Sequence, residues 1–334
     1  MKTKIVYVTT SSSSDLYLEQ TWVSIYSARK KNPSAHIVLV VDSETDKTIS
    51  GNRKGILEEI NEKVVVNVPD KYNRVQASRY IKTNLRNLIK GDFLFCDSDT
   101  IITEDLDDID NFVGDIGMVK DLHGLDRIEE KKLLKKLKRA GLKGESMVPY
   151  YNSGVIFSRD NETSHDLYQQ WHNCWNESLK NGNSHYDQPP LAVANQKMGF
   201  PIKEMHGIWN CQIMNNGLPF LFNAKIIHYF ATANLKLSRK NADKAYLFYE
   251  KKIFDDLKRD GVVSRNLSSM IDNAKGAFVT PCRIVTGNEL ILLTNWLHVT
   301  FLNYPRTYNF LNVVARCVNY IYYKIGVHKY SNES

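Results

Sequence analysis

No stretch of this 334-residue chain reaches the run of about eighteen apolar residues that a membrane-spanning helix needs. Its five cysteines (Cys96, Cys174, Cys211, Cys282 and Cys317) are scattered, odd in number, and never spaced as Cys-x-x-Cys. That pattern argues against a disulfide framework or a zinc site and suits a reducing compartment. The opening Met-Lys-Thr-Lys leads into Ile5-Val6-Tyr7-Val8, too short an apolar run for a secretory leader. It reads as a buried strand, so the expected location is cytoplasmic, at most peripheral at the inner face of a membrane. Glycine is missing from Thr9–Ser14, the loop after that strand. This disfavours a nucleotidyltransferase, which would need a glycine-rich phosphate loop there.

The remaining composition is that of an ordinary globular protein, 43% hydrophobic and 24% charged. The net charge of +7 is unevenly placed. Between Arg127 and Gly144 there are eight basic residues and two acidic ones, with Leu133, Leu134 and Leu137 interleaved at helical spacing. A basic amphipathic helix of this kind suits a solvated surface, an anionic membrane or a phosphorylated acceptor. Nucleic acid is not among the expected partners.

The first hundred residues alternate strand and helix. Strands are expected at Ile5–Thr9, His36–Val41, Val64–Val68 and Phe93–Cys96, and helices at Glu19–Lys31, Ile56–Glu62 and Gln76–Ile89. Such alternation implies a mostly parallel sheet with right-handed crossovers. Further strands are expected at Ile116–Val119 and Gly154–Phe157, a helix at Ser164–Ser178, a last core strand at Ile226–Phe230, and helix over residues 243–258. From Glu289 the chain turns apolar and aromatic, with Trp296, Phe301, Phe310 and the tyrosines of Tyr308–Tyr323 beside Arg316 and Lys324. This segment reads first as a helical subdomain packed on the sheet; the alternative is a membrane interface, which aromatic residues flanked by cations favour.

The strand Phe93–Cys96 runs into Asp97-Ser98-Asp99. Two carboxylates at a strand end are suitable oxygen ligands for Mg²⁺ or Mn²⁺ shared with substrate phosphates. In an open α/β sheet, ligands bind just beyond such strand ends. Upstream, Ala77-Ser78-Arg79-Tyr80 offers a planar guanidinium for phosphate or hydroxyl oxygens. Downstream, Tyr151-Asn152-Ser153-Gly154 combines an amide that bonds hydroxyls in both directions with a glycine that permits close approach. Asp187-Gln188-Pro189 opens a helix, and Ile226-Ile227-His228-Tyr229 ends a strand in an imidazole.

Taken in order, these motifs over roughly residues 4–236 resemble the family 8 glycosyltransferases, retaining enzymes of the GT-A fold. The resemblance implies an α/β fold with a single Rossmann-like mixed sheet flanked by helices. It divides the chain into a catalytic domain at 1–240 and a helical, aromatic and basic appendage at 241–334. It implies a UDP-sugar donor, held by the loop with Thr9, Thr10, Asp15 and Tyr17, by Arg79, and by Asp97, Ser98, Asn152, Ser153 and Gly154. The Tyr17 ring would lie on the base, with Ser27 keeping the family's spacing in the next helix. Asp97, Asp99 and His228 would bind Mn²⁺, with Mg²⁺ as the second choice, because an imidazole ligand favours Mn²⁺. Asp187 would bond sugar hydroxyls, Gln188 would lie against the anomeric carbon, and Arg79 would share the departing charge. The family's Gly and Lys-Pro-Trp after the histidine are absent, leaving Lys236 or Lys240 for the diphosphate. The expected activity is transfer of a hexose, galactose or glucose, to a saccharide or lipid-linked saccharide in cell-surface polysaccharide synthesis. A catalytically silent sugar-nucleotide-binding scaffold is the alternative, and absence of UDP release would distinguish it.

Overall fold

The computed structural model describes residues 1–124, 134–135, 137–138, 141, 149–182, 184–213, 217–229, 251–278, 293, 296–297, 299–300 and 303–325. Within them, strands β1 (Lys4–Thr9), β2 (Ile37–Asp42), β3 (Glu62–Val66), β4 (Phe93–Cys96), β6 (Ile116–Lys120), β7 (Tyr151–Ser158) and β8 (Ile202–Glu204) form a seven-stranded sheet in the order β3-β2-β1-β4-β7-β6-β8. A smaller sheet joins β5 (Thr100–Ile102), β10 (Ile226–His228) and β9 (Cys211–Gln212) in the order β5-β10-β9. Helices α1 (Tyr17–Lys31), α2 (Arg74–Thr83), α3 (Glu162–Gly182), α4 (Gln188–Lys197), α5 (Lys251–Asp260), α6 (Arg265–Asp272) and α7 (Pro305–Ile325) are the longer of those described.

The continuous apolar runs of β1, β2 and β4 mark strands covered on both faces. Successive side chains alternate between two cores: Ile5, Tyr7, Leu39 and Val41 pack on one side, Val6, Val8, Val38 and Val40 on the other. Each such side chain, once buried, contributes about 1.5–3 kcal/mol. Phe254 and Leu257 of α5 and Leu267 and Ile271 of α6 belong to the first of these cores. α5 and α6 are therefore packed into this core against α1, with Tyr26 and Lys30 bonding Ser268 and Asp272, whereas α7 exposes Phe310, Val314, Val318 and Ile321.

The sheet is mixed. β1 runs parallel to β2 and β4, but β7 is antiparallel to both β4 and β6. The chain moves outward from β1 to β2 and β3, then returns to β4 on the other side of β1. That reversal makes the β1–β4 junction the topological switch point, where loops diverge and a crevice opens.

Several expected elements differ. The segment expected as a helix at Ile56–Glu62 is instead a 3₁₀ stretch at Gly51–Glu58, and β3 begins at Glu62 as a half-exposed edge strand. The expected helix at Gln76–Ile89 is broken at Asn84, whose side-chain amide bonds the Tyr80 carbonyl at 2.8 Å and competes with the helical ladder. Ile226–His228 lies in the small sheet rather than the large one. Three short strands, β5, β8 and β9, have too few residues to show a period in the sequence. Most of the basic segment between Arg127 and Gly144 lies outside the described residues; within it, Leu137 is buried and Lys135 and Lys138 are exposed. Phe230 and residues 243–250 also lie outside them.

Candidate active site

Strand register assembles the site. Pairing of β4 with β7 sets Cys96 opposite Val155, so the next residues, Asp97 and Gly154, meet, and the Asp97 N–H donates to the Gly154 carbonyl at 2.7 Å. Antiparallel pairing of β10 with β5 sets His228 opposite Thr100, and the Tyr229 N–H donates to the Asp99 carbonyl at 3.0 Å. Two motifs about 130 residues apart thereby converge at the switch point. One ligand atom from each of Asp97, Asp99 and His228 lies within 4.8 Å of the others.

This donor set fits a divalent ion. Ligands at about 2.0–2.2 Å around one ion lie roughly 3 Å apart when adjacent and roughly 4.0–4.4 Å apart when opposed. The 3.2 Å from His228 Nε2 to Asp99 Oδ1 matches an adjacent pair, and the outer limit of 4.8 Å needs only a few tenths of an ångström of closure.

A buried amide relay orients the imidazole. Asn152 donates from Nδ2 to Asp121 at 2.9 Å, so its Oδ1 accepts, taking the Gly154 N–H and Asn210 Nδ2, each at 2.9 Å. With its amide nitrogen used in this way, Asn210 turns its own oxygen to His228 Nδ1 at 3.0 Å. Nδ1 therefore donates to that oxygen, and Nε2 is turned to Asp99 Oδ1 at 3.2 Å, where a bound ion would take its lone pair. Gly154 completes the arrangement: a Cβ there would meet His228 Cε1 at 2.1 Å. The missing side chain makes room for the histidine ring, where the sequence suggested room for a sugar.

Beside the triad lies a second charged cluster. Lys82 Nζ, on a side chain 2% exposed, is 3.1 Å from both Asp97 Oδ1 and Asp187 Oδ2. Arg79 Nε is 3.5 Å from Asp187 Oδ1, and Ser153 Oγ donates to Asp187 Oδ2 at 2.9 Å. Burial alone would raise the Asp187 carboxyl, but Lys82 and Arg79, with hydrogen bonds from Lys82 and Ser153, outweigh it and hold the group well below the ordinary range. For Asp99, burial likewise opposes ionisation and is overcome by the His228 ring, a backbone N–H and Lys82, so its carboxyl is lowered. Both therefore stand as carboxylates at neutral pH. Apart from its ion pair with Asp187, Arg79 Nε is buried with no hydrogen-bond partner among the described residues, a donor suited to an anionic ligand.

The loop after β1 is held from within. Asp15 accepts from Ser11 Oγ at 2.5 Å, from Ser12 N at 2.9 Å and from the Tyr17 N–H at 3.3 Å, and pairs with Arg74 at 2.5 Å. Arg53, paired with buried Glu19 at 2.6 Å, donates to the Ser12 and Asp15 carbonyls, each at 2.8 Å. Lys258 of α5 donates to the Ser13 and Asp15 carbonyls. Asp15 is thus spent on shaping the loop. Thr9 and Thr10 are buried, with Thr10 Oγ1 donating to the Arg74 carbonyl at 3.0 Å, and Tyr17 begins α1.

No protein family model matches this chain, and no curated protein matches it. Solved structures do. The galactosyltransferase LgtC in complex with donor and acceptor sugar analogs aligns with a TM-score of 0.51 over 80% of this chain and 99% of that one, at 16% identity. An active-site mutant of LgtC aligns at 0.50 over 79% and 99%, with 14% identity. The bifunctional glycosyltransferase WbbM aligns at 0.50 over 80% of this chain and 51% of that one, with 14% identity. The chain has the GT-A glycosyltransferase fold. The resemblance drawn from the ordered motifs is thus borne out at the level of the fold.

Within the GT-A frame, the structure brings Asp97, Asp99 and His228 together and sets Asp187, Arg79 and Ser153 beside them. Ser98 accepts from Thr21 Oγ1 at 2.8 Å, and Gln188 starts α4 with its side chain bonded to Tyr150. Asn152 sits one layer behind, 1% exposed and engaged with Asp121, Gly154 and Asn210. Ser27, at the family's spacing from Tyr17, is also structural: it accepts the Ile102 N–H at 2.9 Å and anchors β5. Lys236 and Lys240 lie outside the described residues. Sequence reasoning missed Lys82 and Asp121. The one signal for Lys82 was its place one helical turn after Arg79; nothing in the sequence marked Asp121.

Proposed function

We propose that this chain is a metal-dependent retaining glycosyltransferase that moves a hexose, galactose or glucose, from a UDP-sugar to a saccharide hydroxyl. The observation that carries this reading is the convergence of Asp97, Asp99 and His228 beside the Asp187–Lys82–Arg79 cluster. Asp97, Asp99 and His228 would hold the ion, with Mn²⁺ favoured over Mg²⁺ by the imidazole. Bound there, it supplies Lewis-acid charge to a diphosphate leaving group. Arg79, whose Nε has no hydrogen-bond partner among the described residues, shares that charge, and Asp187, kept ionised, accepts hydrogen bonds from sugar hydroxyls. Gln188 follows Asp187 at the start of α4 and is a neutral amide, a poor nucleophile. Retention by same-face return of the acceptor suits it better than the two-carboxylate route of hydrolases. The loop carrying Thr9, Thr10 and Tyr17, with Ser98 at the metal end, is the nucleotide side of the reading. Lys236 remains the proposed diphosphate lysine.

The acceptor we propose is a glycan, free or lipid-linked, at the inner face of a membrane. In α7, Phe310, Val314, Val318 and Ile321 form one exposed apolar stripe, Arg306 and Arg316 are exposed, and the helix has no acidic residue. Such a helix suits an anionic interface. Among the described residues no helix is long and apolar enough to cross a membrane. A screen of UDP-sugars with Mn²⁺, read as UDP release, tests the reaction. Turnover with one hexose donor is expected, and none with any donor would leave a silent binding protein. Substitution Asp99→Asn is expected to abolish turnover. Full-length protein should sediment with anionic liposomes, and deletion beyond residue 285 should cut activity on lipid-linked acceptors. Indifference in both assays would reject the membrane part alone.

A further inference from the structure

Lys82 forms ion pairs with both halves of the site, at Asp97 and at Asp187. Its ammonium has three N–H groups. Four acceptor atoms surround it: Asp97 Oδ1 at 3.1 Å, Asp97 Oδ2 at 3.3 Å, Ser153 Oγ at 3.3 Å and Asp187 Oδ2 at 3.1 Å. The Phe95 ring lies 4.8 Å below it and closes that side to water. A buried cation requires a counter-charge, and one carboxylate would serve. This one stands between two carboxylates that, in the reading above, face different ligands. Asp97 faces the metal position, and Asp187 faces the sugar.

The acceptors outnumber the donors, so the contacts compete. A divalent ion at Asp97, Asp99 and His228 would take lone pairs that Lys82 holds in the arrangement seen here. The ammonium would then have all its donors for Asp187 and Ser153. We propose that Lys82 is a positioning residue that couples the two ends of the donor site: it competes with the cation for Asp97 and, released from it, fixes Asp187 for the sugar. The inference rests on the metal and donor reading proposed above. It implies that the hexose binds in an oriented pose only after the metal is in place.

The test measures binding without turnover, on full-length protein. The Mn²⁺ dissociation constant is read from the electron paramagnetic resonance of free Mn²⁺, without nucleotide, for wild type, Lys82→Gln, Lys82→Arg, Asp187→Asn and the Lys82→Gln/Asp187→Asn double variant. Lys82→Gln is expected to bind Mn²⁺ on the order of tenfold more tightly, because the competing cation is gone. Lys82→Arg keeps the charge and should stay near wild type. Asp187→Asn should weaken Mn²⁺ binding in the wild-type background, because Lys82 then falls back on Asp97, and should do so less in the Lys82→Gln background. Calorimetry with UDP and with the UDP-hexose supplies the second readout. The extra affinity contributed by the hexose should be lost in Lys82→Gln while UDP affinity is kept. A purely structural role for Lys82 would lower both affinities together. A folded Lys82→Gln protein with unchanged or weaker Mn²⁺ binding overturns the proposal, as does an equal effect of Asp187→Asn in both backgrounds. If Lys82→Gln does not fold, unchanged Mn²⁺ binding in Asp187→Asn alone overturns it. A wild type that binds neither Mn²⁺ nor any UDP-hexose rejects the functional reading and this inference with it. A wild type that binds both, with unaltered variants, rejects the Lys82 role only.

Discussion

Gly154→Ala should disable the proposed metal site while leaving the fold standing. An alanine Cβ would lie 2.1 Å from His228 Cε1, 2.6 Å from Nδ1 and 2.9 Å from Asn152 Oδ1, whereas ordinary contact begins at 3.4 Å. The shortfall at Cε1 is 1.3 Å, as 3.4 minus 2.1. The backbone cannot supply it, because the Gly154 N–H is held by Asn152 at 2.9 Å and its carbonyl by the Asp97 N–H at 2.7 Å. The ring must move instead. Metal coordination tolerates only about ±0.2 Å in ligand distance, so a shift above 1 Å removes His228 as a ligand. The loss of Mn²⁺ affinity should exceed the ~10–100-fold typical of disturbing an outer partner. Overpacking should cost about 1–3 kcal/mol of stability, a fall in Tm of roughly 2–4 °C per kcal/mol for a domain of moderate size. Thermal unfolding with and without Mn²⁺ reads both effects. Wild type should gain about 2.7 kcal/mol at a hundredfold excess of Mn²⁺ over its Kd, and Gly154→Ala should gain almost nothing at that concentration. A folded Gly154→Ala protein with wild-type Mn²⁺ affinity would falsify the argument that this glycine exists for the histidine.

Arg53→Ala should destabilise the protein by about 3–5 kcal/mol at pH 7, since it strands the buried Glu19 carboxylate. Burial pushes Glu19 up even with Arg53 present, so the penalty should shrink on acidification as Glu19 takes a proton; a pH-independent penalty in urea unfolding argues against this. Asp15, Asp99 and Asp187 have carboxyls lowered in the fold, so their contribution is full above the unfolded value of about 3.9 and is lost as pH falls through the folded values. Tm should therefore be level between about pH 5 and 7 and fall below about pH 4, less steeply in Asp187→Asn; a fall already under way at pH 6 would contradict it. Asn210→Ala should weaken Mn²⁺ binding about 10–100-fold by freeing the His228 tautomer, and a wild-type Kd would show that the relay does not set it.

Much of this was legible because the chemistry is local in sequence. The unbroken apolar runs of β1, β2 and β4 announce strands buried on both faces, and Asp97 and Asp99 follow the last of them directly. His228 was legible through its place in a series of ordered motifs, since a lone histidine ending a strand carries little signal. Asn152 shows the limit. Its residue type suggested sugar hydroxyls, yet Asp121, 31 positions earlier, claims its amide nitrogen and Asn210, 58 positions later, its oxygen. Whether a polar side chain faces a ligand or a neighbour depends on partners that sequence spacing does not reveal. Asn84 shows another: an apolar period continued through it, and one side-chain amide stopped the helix.

By itself the sequence determined the alternation of strands and helices, the two carboxylates after β4, and the order of the motifs, because hydrophobic period and strand ends are properties of short segments. Only the tertiary structure decided that His228 closes on Asp99, that Gly154 is open for its ring, and that Lys82 stands between Asp97 and Asp187. Those facts depend on the β4–β7 and β5–β10 registers, and a shift of one residue in either would turn the same side chains to the opposite face.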